Sequence, residues 1–200
     1  MVESSRLVYR SNTNKVISIA GWAALALAVV AAFLTGRPSA VLGLVPIATI
    51  ALLIWELFWR PAIIVEDDGV TLVNQFHTFV IPWGKIVDVE TKWAMTIVTP
   101  ERRYRGSAAP APGAVVRPDM SGAARTGRVV DGAISKADTP GTDSGDAATI
   151  VRRRLQAMAD AGTLPIGQAE AMAVTSRVHW VSVAVLAALL AASIPALLRA

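Results

Sequence analysis

VTLVNQFHTFVIPW (70–83) is strand-forming text set shortly behind LLIWELFW (52–59), an apolar run suited to lipid. Within it Phe79, Ile81 and Trp83 recur at every second position and so share one face of a strand. Asn74 to His77 supply a tight turn before that strand, and Pro82, which has no N–H to donate, ends it or lies at an edge. Upstream, AIIV (62–65) and VTLVN (70–74) flank Glu66-Asp67-Asp68-Gly69, where Asp-Gly signals a hairpin. Downstream, KIVDVETKW (85–93), AMTIVT (94–99) and RRYR (102–105) give three more strands, the last two joined by a turn at Thr99 to Arg102. Six short strands over 61–105 predict an antiparallel meander with one buried face.

The lipid-like run has company. Hydrophobic residues make up 54% of the 200 and charged residues only 17%, and the mean hydropathy is +0.49. The excess gathers at 16–34, 41–59 and 178–198. A run of about 20 apolar residues crosses a hydrocarbon core roughly 30 Å thick, so all three are expected as transmembrane helices. The first is expected to be an uncleaved anchor, since its apolar run exceeds that of a signal peptide and LTGRPSA is a poor cleavage site. The absence of cysteine excludes a disulfide framework, a thiol nucleophile and a cysteine-based zinc cage.

Arg6, Arg10 and Lys15 precede the first span, Arg60 follows the second and Arg177 precedes the third, whereas the loop TGRPSA (35–40) holds only Arg37. The positive-inside rule then places segment 1–15 and the whole of 60–177 in the cytoplasm, in a multi-pass protein of the inner (plasma) membrane. Arg199 is the exception to that pattern. Trp22, Trp55, Trp59 and Trp180 fall near the same ends and are expected as interface anchors. Glu56 and Arg60 join them as a helical i,i+4 pair, with Glu56 expected at headgroup depth rather than as a proton or ion site. Alanines at 20, 24, 28 and 32, and again at 184, 188, 192 and 196, make smooth ridges through which spans could pack into a homo-oligomer.

After Arg105 the strand pattern stops. Residues 106–146 are rich in Gly, Ala, Pro, Ser and Asp, and such text buries too little apolar area to offset its ordering entropy, so a disordered linker is expected. Order returns with Asp146 as N-cap of a helix over 147–161, whose Ile150, Val151, Leu155 and Met158 form one apolar stripe and which stops at Gly162. That stripe needs a surface to bury it, and the sheet supplies one.

GVTLVNQFHTFVIPWGKIVDVE (69–90), AMTIVTPERRYRGSAAPAP (94–112) and VRRRLQAMADAG (151–162) together resemble the pleckstrin-homology (PH) superfold. The closer resemblance is to the bacterial PH domain of the low-molecular-weight protein antigen 6 type, found in small actinobacterial membrane proteins. It implies an α+β chain: a membrane-anchored antiparallel β-meander capped by one C-terminal helix, here with three transmembrane helices. In those relatives two apolar spans precede the domain, as here, while the third span and the long linker depart from the short form.

Phosphoinositide binding of the eukaryotic PH kind does not transfer, because the first hairpin carries Glu66, Asp67 and Asp68 where basic residues would be needed. Positive charge lies instead at Arg102, Arg103 and Arg105 and at Arg152 and Arg153, with Arg154, Lys85 and Lys92 nearby. The first five are the expected lipid or partner contacts. Over 60–177 fourteen Lys and Arg meet thirteen Asp and Glu, which excludes a field suited to nucleic acid. His77 and His179 have no visible catalytic partner, and no phosphate-binding or nucleophile motif appears, so no enzyme activity, cofactor or metal is expected. The sequence thus reads as a membrane protein presenting a cytoplasmic interaction module, with membrane lipids and a protein of a membrane or envelope complex as partners. An anionic-lipid sensor using the Arg clusters is the alternative, and a small transporter or channel subunit using Glu56 is the third.

Overall fold

The computed structural model describes residues 6–36, 41–111, 141–165 and 172–199. The acidic turn closes β2 (Ala62–Val65) onto β3 (Gly69–Val73), with the Glu66 amide donating to the Gly69 carbonyl at 3.0 Å. Gly69 is required there, because a Cβ would run into the Ile81 carbonyl of the next strand. The Asn74 amide donates to the His77 carbonyl at 2.8 Å and turns the chain into β4 (His77–Pro82). Register aligns Ile63, Leu72 and Phe79 in one inward row, and Val65, Val70 and Ile81 in the next.

The expected single meander is instead two sheets. Trp83 to Lys85 make one tight 3-10 turn that carries the chain out of the first sheet, and β5 (Asp88–Glu90), β6 (Ala94–Val98) and β7 (Arg103–Pro110) form a second, three-stranded sheet. Proline explains the break: Pro82 ends β4 without an N–H with which to extend the ladder. Trp83 then turns inward, 2% exposed, and its indole Nε1 donates to the Glu66 carbonyl at 3.0 Å.

The expected linker starts too early. Residues 106–110 continue β7, which crosses the first sheet so closely that a Cβ on Gly106 would lie 3.3 Å from the Ile63 Cδ1 atom. Ala108 and Ala109 are fully buried. The small residues that read as disorder serve close packing here. Residues 112–140 of the expected linker lie outside the described residues.

The closing helix, α3 (Asp143–Asp160), also begins before its expected start. Its N-cap is Thr142, whose hydroxyl accepts from the Gly145 amide at 3.1 Å, not Asp146. Asp146 sits inside the first turn and reaches back to the Gly141 amide at 2.8 Å. Gly162, with φ +65, ends the helix as expected. Ala147, Ala148 and Val151 enter the core, while Ile150, Leu155 and Met158 pack half-buried around it. Val151 is therefore the central contact of the stripe.

Two strands escape sequence reading. β1 (Leu7–Tyr9) and β8 (Thr175–Val178) form the edges of the first sheet, whose order is β1-β2-β3-β4-β8. β1 leads into α1 (Asn12–Leu34), and α2 (Leu44–Ile54) continues through a wide π turn at Trp55–Trp59 into β2. β8 leads into α4 (Trp180–Arg199), so Val178 belongs to a strand rather than to the third span. Each apolar helix is thus joined to a strand of one sheet by only one or two residues. Among the described residues α1 alone is long and apolar enough to cross a membrane, and the apolar stretches Leu44–Trp59 and Trp180–Pro195 are shorter.

Candidate interaction site

Where α2 meets the sheet, most of the expected anchors converge. The π turn widens the last turn of α2 and directs Glu56 into the protein, where it is 0% exposed. Arg60 Nη1 donates to both carboxylate oxygens, at 2.9 and 2.8 Å, and to the Ser182 hydroxyl of α4 at 2.8 Å. The guanidinium lies 5.3 Å over the Trp55 ring. Trp22 of α1 meets Trp59 at a ring-centroid distance of 5.3 Å, and its Nε1 donates to the Ala51 carbonyl at 3.2 Å. The Glu56–Arg60 pair has the expected spacing but not the expected setting. It is an internal tie between α2 and α4, because a carboxylate turned inward is tolerated only with its counter-ion beside it. Trp180 stands apart, 71% exposed.

Within the chain the alanine ridges lie largely on the outer side of these helices. Ala20, Ala24 and Ala28 are exposed, as are Ala184, Ala188 and Ala192. α1 approaches α2 at Gly21, where a Cβ would sit 2.8 Å from the Ile54 Cδ1 atom. Between α2 and α4 the Thr49 and Ser193 hydroxyls meet at 2.9 Å.

The basic residues do not form one patch. Arg103 pairs with Glu90 at 3.1 Å, Arg102 lies 5.7 Å over the Tyr104 ring, and Arg105 donates to the Trp93 carbonyl at 3.4 Å. On α3, Arg152 donates to the Val89 carbonyl at 2.5 Å, Arg154 pairs with Asp67 at 2.5 Å, and Arg153 is exposed. Lys85 is buried against Glu101, and their hydrogen bond holds the Glu101 carboxyl below its ordinary range. The acidic turn has acquired distant partners: besides Arg154 on Asp67, Arg6 meets Glu66 at 3.3 Å. Sequence separation hid both pairs.

Two open surfaces stand out among the described residues. On the outer face of the first sheet, register aligns Val8, Ile64, Thr71, Val80 and Thr175, with Val8, Val80 and Thr175 exposed. The second is a cleft of about 430 Å³ between α1, the π turn, the β3–β4 turn and β7, lined by Asn14, Leu57, Phe58, Asn74, Gln75 and Arg105 among others. Asn74 builds its wall: its Nδ2 donates to the Arg105 carbonyl at 2.8 Å, and its Oδ1 accepts from the Ser107 amide at 2.9 Å and hydroxyl at 2.6 Å. Among the described residues no group of three or more His, Asp or Glu could hold a metal ion. His179 is engaged with the Thr78 hydroxyl at 2.9 Å, and His77 stacks on Phe79 at 5.9 Å.

Two antiparallel sheets packed across one another and closed by a helix through Val151 define the PH class of fold. Residues 60–157 match the family described as a bacterial PH domain. No curated protein and no solved structure shows a significant match. PH domains are in general non-catalytic modules that bind proteins or lipids. The matched stretch begins at the residue that ends the π turn and stops inside α3, so it leaves out β1 and β8, the strands that join the sheet to α1 and α4.

Proposed function

We propose that this is a multi-pass protein of the inner membrane, of the antigen 6 type, that presents its PH domain at the cytoplasmic face as a protein-interaction module. The observation that carries this is the three-stem connection: the N-terminal ends of α1 and α4 and the C-terminal end of α2 all run into one sheet. Such a domain is held at a fixed height and orientation. Its stems carry the positive charge of Arg6, Arg10, Arg60 and Arg177, in keeping with a cytoplasmic position. Val16, Ile19, Leu27 and Phe33 on α1 and Val181 and Ile194 on α4 are exposed, a surface that suits lipid and not water.

A protein partner is favoured over a headgroup at the first hairpin, where Glu66 and Asp67 pair with Arg6 and Arg154 and Asp68 adds a further negative charge. The outer face through Val8, Ile64 and Val80 is the surface offered to that partner. Transport is disfavoured, since both oxygens of Glu56 are engaged by Arg60. A photoreactive residue at Val80, irradiated in whole cells, should give a protein adduct that the same residue at Asp160 does not. Lipid adducts alone, or equal adducts from both positions, would refute the assignment.

A further inference from the structure

Asn14 is 5% exposed in the first turn of α1, yet among the described residues only its backbone is hydrogen-bonded, the amide to Ser11 and the carbonyl to Ser18. Its side-chain amide lines the 430 Å³ cleft. The amide is not sealed off: it stays accessible through the cleft and is free to hydrogen-bond a ligand there. Arg105 also lines the cleft, exposed, and among the described residues its guanidinium makes only a weak contact at 3.4 Å, to the Trp93 carbonyl. Among the described residues no carboxylate lines the cleft, and the positive end of the α1 dipole adds to the charge of Arg105. Leu57 and Phe58 of the π turn form an apolar side continuous with the stem of α2, and Asn74, Gln75, Ala94, Ser107 and Pro110 complete the lining. Beside Arg105, the Trp93 indole is 59% exposed, the amphipathic kind of side chain that settles at a membrane interface.

We infer that this cleft binds the phosphate of an anionic phospholipid, with Arg105 pairing with the phosphate, Asn14 Nδ2 donating to it, and Leu57 and Phe58 packing against the glycerol and first acyl carbons. The chemistry is that of any phosphate, but the apolar wall and the position at the foot of the helices select a lipid. This rests on the membrane placement proposed above and adds a site distinct from both the outer sheet face and the first hairpin.

The full chain, purified in a neutral detergent, is tested by thermal shift and native mass spectrometry. The probes are dioctanoyl phosphatidylglycerol, dioctanoyl phosphatidylcholine and inorganic phosphate. The expected result is stabilisation and retention of phosphatidylglycerol, with much weaker responses to the other two. Losing a charge-assisted hydrogen bond should weaken binding about tenfold in Arg105→Gln and in Asn14→Asp. Arg177→Gln, which removes an exposed arginine equally near a helix stem but outside the cleft, should respond like the parent. Equal response to phosphatidylcholine, unchanged binding in Arg105→Gln, or equal loss in Arg177→Gln would each overturn the site. Inorganic phosphate binding as tightly as the lipid would overturn the lipid assignment. A chain that stays monomeric and folded without detergent would instead refute the membrane placement.

Discussion

Tyr9, two residues before the first helix, donates a hydrogen bond to Asp143 Oδ1 in the first turn of α3 at 2.9 Å, across 134 positions of sequence. Ser11, the N-cap of α1, donates to the other oxygen at 2.6 Å. One carboxylate therefore fastens the helix that closes the PH domain to the root of the first apolar helix. Burial, and then the neighbouring Asp143 carboxylate, push the Tyr9 phenol well above its ordinary value.

That shift predicts alkaline sensitivity. The folded state keeps the Tyr9 proton to higher pH than the unfolded chain does, so the contribution is complete below about pH 10 and is lost as pH rises beyond it. Unfolding midpoints of the full chain in detergent, measured from pH 8 to 11.5, should fall at the alkaline end. The fall should be smaller in Tyr9→Phe. Parallel curves would mean that the phenol is not the group responsible.

Arg60→Met should cost about 3–5 kcal/mol, because it leaves the buried Glu56 carboxylate without its counter-ion. Adding Glu56→Met to the same chain should recover most of that loss, since the buried charge is then gone. Denaturant midpoints for the two chains test this directly. A double variant no more stable than Arg60→Met alone would show that the pair matters by its shape and not by its charge.

Trp83→Ala should cost about 3–5 kcal/mol, a large share of the roughly 5–15 kcal/mol available to a domain. Trp83→Phe keeps much of the volume but removes the donor to the Glu66 carbonyl, which should cost about 1–3 kcal/mol. Arg153→Ala, at an exposed position on α3, should change stability by less than about 0.5 kcal/mol. Equal effects of Trp83→Phe and Trp83→Ala would point to the hydrogen bond as the whole contribution.

A fragment of residues 61–162 should not melt cooperatively. It lacks β1 and β8, and so leaves the backbone groups of β2 and β4 open at both edges of the first sheet. Aggregation, or a featureless thermal trace by circular dichroism, is the expected outcome. A sharp reversible transition would show that the edge strands are dispensable to the domain.

How much was legible follows from the range of each interaction. β2 to β7 were readable because their hairpins close locally, through Asp-Gly at 68–69 and the turn at 74–77. β1 and β8 were not, being only three and four residues long, with partners such as Val65 and Phe79 far along the chain. Gly106, Ala108 and Ala109 were misread because small buried residues resemble the composition of disorder. Trp83 was read correctly as core from its alternation with Ile81. At the candidate site the Glu56–Arg60 pair was visible at i,i+4, but the inward direction set by the π turn was not. Asn14 carried no signal at all, since its burial depends on the β3–β4 turn and β7 folding against α1.

The strand order also imposes a schedule on synthesis. Leu7 leaves the ribosome before either helix, yet its partner Val65 emerges only after both α1 and α2 have been made. The opposite edge waits longer still, because His77 is covered by Val178 one residue before the last helix begins. Throughout that interval the middle strands carry exposed edges. Packing of the apolar helices and completion of the sheet are therefore coupled: a nascent chain arrested before α4 would hold a domain with an open seam at β4.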